Sequence, residues 1–165
     1  MVVIILKFVH VVFGLASISV ATIALFDLLA GKMSERRIVV FLKCFLVTSA
    51  SGILFPVHHS LFTHWAAMLG VYVSGVAVLA WRKFHLVGSW GSVFGVAIVI
   101  LLYLNVIVSI SHIFKFAPII ATLETERSTF LFFITEIIAM LPFTALCFVV
   151  VNKFRERSIN SQRSR

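Results

Sequence analysis

Long apolar stretches separated by short polar ones form the dominant pattern of the chain. Five can be drawn, at about 8–30, 38–57, 61–81, 92–114 and 129–151. Each approaches the roughly 20 residues that a helix needs to cross a hydrocarbon layer. The pattern therefore predicts an all-α fold, an integral membrane bundle of five transmembrane helices over 1–151 followed by a basic tail over 152–165. No internal repeat or inverted half is evident, which disfavours a duplicated transporter architecture.

Lipid supplies no hydrophobic force between helices, so the packing faces should carry small residues. Gly14, Ser17, Ala21 and Ala24 fall on one face of the first span, and Ser49, Ala50, Ser51 and Gly52 thin the second. Gly91 and Gly95 form a GxxxG in the fourth, for which packing within the bundle is preferred over a homo-oligomer contact. Trp65 and Trp81 bracket the third span about 24 Å apart along a helix, a spacing that suits the two interfacial belts. Trp90 repeats the anchor at the start of the fourth. Pro142, inside the fifth, frees the carbonyl of Ile138 and should kink that helix.

Composition supports this and narrows it. Hydrophobic residues make up 61% of the 165 and charged residues 12%, against about 25% charged in a soluble domain. Five spans then leave no room for a soluble catalytic domain. The net charge of +8 would suggest nucleic acid in a soluble protein, but the basic residues cluster at the ends of apolar runs, where membrane orientation requires them. With the N-terminus outside, Lys32, Arg36, Arg37, Lys43, Arg82, Lys83 and the tail residues Lys153, Arg155, Arg157, Arg163 and Arg165 face the cytoplasm. Only Lys7, Lys115 and Arg127 face outward. That asymmetry predicts an outside N-terminus and a cytoplasmic tail lying against anionic headgroups. Cys44 and Cys147 both fall towards the cytoplasmic side, so no disulfide is expected. The first stretch lacks a basic segment before it and continues past Ser17 and Ser19, and reads as a retained helix rather than a cleaved signal.

The candidate chemistry lies in polar residues at membrane depth. On this topology His10, His58, His59, His64 and His112 gather in the outer leaflet and only His85 is cytoplasmic. Glu136 adds a carboxylate on the fifth span at comparable depth. His10 shares its face with the small-residue seam and His112 shares its face with Asn105, which points both into protein. Neutral imidazoles from separate helices can hold a haem iron axially or, with a carboxylate, a divalent transition metal. His10, His64 and His112 are the cofactor candidates for haem b, and His58, His59 and Glu136 the candidate metal ligands. Taken singly, each histidine is better read as a rim residue solvated by headgroups, and convergence from four helices is what favours ligation. Asp27 and Lys43, near the inner ends of the first two spans, are expected to pair structurally.

Two segments, SGILFPVHHSLFTHWAAMLGVYVSGVAVLAWRKF at 51–84 and LYLNVIVSISHIFKF at 102–116, resemble a group of small, uncharacterised bacterial inner-membrane proteins. The likeness covers about a third of the chain, implies a helical protein of the bacterial plasma membrane, and supplies no activity. No P-loop, HExxH helix or nucleophile elbow occurs. Three functions remain in competition. The first is a redox protein holding haem b or a transition metal and exchanging electrons with a quinone. The second is a metal-ion or proton transporter using the same outer histidine cluster with Glu136 as entrance and Asn105, Ser109, Ser74 and Thr48 as a polar track. The third is a non-catalytic membrane subunit that docks a larger complex.

Overall fold

The computed structural model describes residues 2–54, 61–116 and 125–163, with side chains over 4–54, 64–114 and 130–156. All its regular structure is helical: α1 (Val2–Leu29), α2 (Glu35–Ile53), α3 (Leu61–Val78) with a π turn at Leu79–Lys83, α4 (Trp90–Phe116) and α5 (Thr125–Arg163). Among the described residues, four helical stretches are long and apolar enough to cross a membrane: Ile4–Leu29, His64–Lys83, Trp90–Phe114 and Phe130–Glu156. The second expected span falls short because α2 packs Glu35, Arg36, Arg37 and Lys43 into 19 residues. The outside of the bundle is covered with large apolar side chains such as Phe8, Phe26, Tyr72 and Phe148, as a hydrocarbon solvent requires.

The turn joining α1 to α2 is set by Gly31. Its φ of 87° lies in the left-handed region that a side chain disfavours. The Lys32 N–H reaches back to the Asp27 carbonyl at 2.8 Å and the Gly31 N–H to the Leu28 carbonyl at 3.2 Å. These two bonds satisfy the last carbonyls of α1 and reverse the chain. Asp27 pairs across the turn with Arg37, not with the expected Lys43. Arg37 sits in the first turns of α2, level with the end of α1, whereas Lys43 lies nearly two turns further along.

On α1 the buried positions are His10, Gly14, Ser17, Ala21, Ala24, Leu25 and Leu28, and all but Leu25 follow the alternation of three and four residues that defines one helical face. The small-residue seam read from the sequence is thus the face that packs. On α2, Ile38, Phe41, Leu42, Phe45, Thr48, Ser49 and Gly52 form the matching stripe. The central helix is α4: half of its apolar window is buried, against 6% for α5. It packs against α1, α3 and α5, and Phe94, Ile98 and Leu101 fill the common core.

The GxxxG of α4 is used inside the bundle. Side chains of α5 occupy the notch, so that a Cβ at Gly95 would collide with Val150 and approach Phe154. Through these contacts α5 is held along α4 and runs unbroken to Arg163, which makes the basic tail a helical continuation of the last span. Of the tryptophans, Trp65 is exposed as an anchor would be, but Trp81 is a core residue. The π turn draws its ring inward, with the Arg82 guanidinium 4.2 Å from the ring centroid. Trp90 stacks on Phe84 at 3.8 Å and closes the α3–α4 turn.

Gly95→Ala places a methyl group against Val150 and Phe154 and should destabilise the bundle by about 1–3 kcal/mol, the usual cost of overpacking. Detergent-induced unfolding followed by circular dichroism measures the difference, with α5 detaching first.

Candidate functional site

The deepest polar groups of the bundle sit where α1, α2 and α4 meet. His10 is 6% exposed and its Nδ1 lies 3.0 Å from both the Thr48 carbonyl oxygen and Ser51 Oγ. A carbonyl only accepts, so Nδ1 carries the proton and donates. In the neutral ring the lone pair is then on Nε2. Ser51 Oγ itself donates to the Thr48 carbonyl at 2.8 Å, which holds the three groups as a unit. Gly52 lets the ring lie close to α2, since a Cβ there would stand 3.4 Å from His10 Cε1 and 3.6 Å from the Ala67 Cβ of α3.

From α4, His112 approaches His10 edge-to-face, with ring centroids 5.4 Å apart and planes at 77°. Two turns deeper on the same face of α4, Asn105 donates from Nδ2 to Ser17 Oγ at 2.8 Å. These two contacts share one cause. The small residues of α1 let α4 approach, and polar side chains that close in hydrocarbon stabilise by pairing across the seam.

Beside His10 is a void of about 20 Å³ bordered by Thr48, Ser49 and Asn105 among apolar neighbours. That is room for one water molecule or one ion, which needs roughly 10–15 Å³. It is far below the several hundred Å³ of an organic cofactor pocket. Larger hollows of about 430 and 400 Å³ lie between α4 and α5 and between α3 and α4, and neither has a histidine in its lining. The space beside His10 holds no more than a water molecule, and a haem between His10 and His112 would require α1 and α4 to part.

The sequence-derived candidates divide accordingly. His10 and His112 are brought together. His64 is half-buried on the first turn of α3, three residues before Ala67 and on the same side of that helix. Glu136 lies on the face of α5 that carries Met140 and Phe143, which border one hollow with Tyr103, and Tyr103 and His112, nine residues apart, are on opposite faces of α4. His58 and His59 lie outside the described residues. Among the described residues no three His, Cys, Asp or Glu side chains converge as a metal-holding group.

Ser109 Oγ donates to the Asn105 carbonyl and Ser74 Oγ to the Val71 carbonyl, so these hydroxyls serve their own helices. The partners that orient His10, the Thr48 carbonyl and Ser51, were not legible in the sequence. Only the run of small polar residues on α2 hinted at them.

If the Ser17–Asn105 bond carries the α1–α4 contact, a double-mutant cycle of Ser17→Ala and Asn105→Leu will return a coupling of about 0.6–1.7 kcal/mol, the range for interhelical hydrogen bonds in membranes. Unfolding free energies of the four proteins measure it, and perfectly additive losses would place the contact energy elsewhere. No protein-family model, curated protein or solved structure matches the chain.

Proposed function

We propose that this chain is a five-span protein of the bacterial inner membrane, N-terminus outside, that binds a redox-active transition metal in the outer leaflet through His10 and His112. The observation that carries the reading is the His10–His112 pair itself, two imidazoles from separate helices at 5.4 Å. A metal-ligating histidine characteristically donates its second ring nitrogen to a carbonyl or carboxylate, which sets the tautomer and the ring direction. His10 has that second contact in Thr48 and Ser51, which leaves Nε2 as the nitrogen with the lone pair.

His10 and His112 would be the residues holding a haem b iron if the helices parted to admit it, whereas a bare ion would need further donors. The small void favours the ion and the donor count favours haem. In either form a metal buried in apolar surroundings on the outer side of the bundle suits electron transfer between the membrane and an outer partner. The five-span topology is supported by the apolar helices and by α2, whose buried stripe places it inside the same bundle. The distribution of Lys and Arg supports the orientation.

Protein purified in mild detergent from metal-replete cells should contain a stoichiometric transition metal, and His10→Ala or His112→Ala should each lower its content about tenfold or more. A Soret band identifies haem b, and metal without that band identifies an ion. Colourless, metal-free protein removes the reading. Alkaline phosphatase fused after Arg127 should be active and after Arg165 inactive, and the reverse pattern would invert the topology.

A further inference from the structure

All four of α1, α2, α3 and α4 border the void beside His10, which measures about 20 Å³. It exists because α3 is thin on that side. Gly70 lies directly against the Phe45 ring of α2, where a Cβ would collide with it. Ala67, three residues away on the same face of α3, borders the void and has too little side chain to fill it.

Two polar residues border this space with bonding capacity unused. Ser49 is 5% exposed, and among the described residues its hydroxyl has no hydrogen-bond partner. Asn105 is 6% exposed and donates to Ser17 through Nδ2, which leaves its Oδ1 without a donor among the described residues. The two come from α2 and α4, helices that pack on α1 and α3 but barely on each other.

A buried hydroxyl and a buried amide oxygen left unpaired are destabilising, and one group that both accepts and donates satisfies them together. Size limits that group to a single small species, for a bound water needs roughly 10–15 Å³ and two to four polar partners. A wholly apolar void of this size would stay dry. A cation would find an imidazole and neutral oxygens but no carboxylate among the bordering residues, a poor setting for a charge inside hydrocarbon. We infer that the void binds one structural water molecule, which accepts from the Ser49 hydroxyl, donates to Asn105 Oδ1 and thereby bridges α2 and α4. Asn105 then has a partner on each side, Ser17 directly and α2 through the water. His112 does not border the void, so the water site is separate from a metal held between the two imidazoles and does not depend on one.

Solid-state NMR of the full chain in phosphatidylcholine bilayers should show magnetisation transfer from a slowly exchanging water to the Asn105 side-chain amide. Ala67→Ser, which places a hydroxyl in the void, should remove that signal. Stability gives an independent readout through its sign. Ser49→Ala should lower the folding equilibrium constant about fivefold, as the loss of one hydrogen bond does. Removal of an unpaired hydroxyl would instead raise it, because alanine is the better helix former. Replacing sodium by choline at constant ionic strength should change neither readout. Absence of the water signal in the wild-type chain, a folding constant unchanged or raised in Ser49→Ala, or a loss of stability without sodium would each overturn the inference, the last by making the occupant a cation. The wild-type spectrum decides the matter even where a substitution prevents folding, which circular dichroism detects.

Discussion

Polar atoms inside hydrocarbon have no water to pair with, and this constraint organises the bundle. A buried donor or acceptor must find its partner within the protein or remain unsatisfied at a cost of some 1–3 kcal/mol. At the α1 seam the chain meets the constraint by placing three deep polar side chains opposite partners. Asn105 reaches Ser17, and His10 reaches the Thr48 carbonyl and Ser51. Each bond is modest in energy, but each has few substitutes, and together they specify which face of α4 and which face of α2 lie against α1.

That specification explains why the histidine pair exists. Ser17 and His10 are two turns apart on α1, and Asn105 and His112 are two turns apart on α4. Because the helices run antiparallel, the Ser17–Asn105 bond brings His112 level with His10. The 5.4 Å ring contact is therefore a consequence of register as much as an independent attraction. The same register turns the opposite face of α4, with Tyr103, towards α5 and away from the imidazoles.

The two regions of the bundle differ in character as a result. Where α1, α2 and α4 meet, the space beside His10 is no larger than a water molecule, and the His10 ring in it is held by Thr48 and Ser51. Along α5 the packing is one-sided. Gly91 and Gly95 admit Val150 and Phe154 at one end, while the rest of the helix borders an open apolar groove.

Hydropathy alone determined the helices, because a run of apolar residues near 20 long has few alternatives to a helix in lipid. Helical phase alone identified the packing face of α1 and the inward direction of His10, since a period of 3.6 relates residues within one helix. Relations between helices were not legible in the same way. The sequence grouped Glu136 with the histidines by depth, but depth says nothing of azimuth, and α5 carries it on the face of Met140 and Phe143. It paired Asp27 with Lys43 by proximity to one membrane face, but the Gly31 turn brought Arg37 nearer. It read Trp81 as an interfacial anchor, but the π turn at Leu79–Lys83 rotated it into the core. Each of these depended on the rotation of one helix about its axis relative to a neighbour, and that rotation is set by contacts between distant segments, which only the tertiary structure contains.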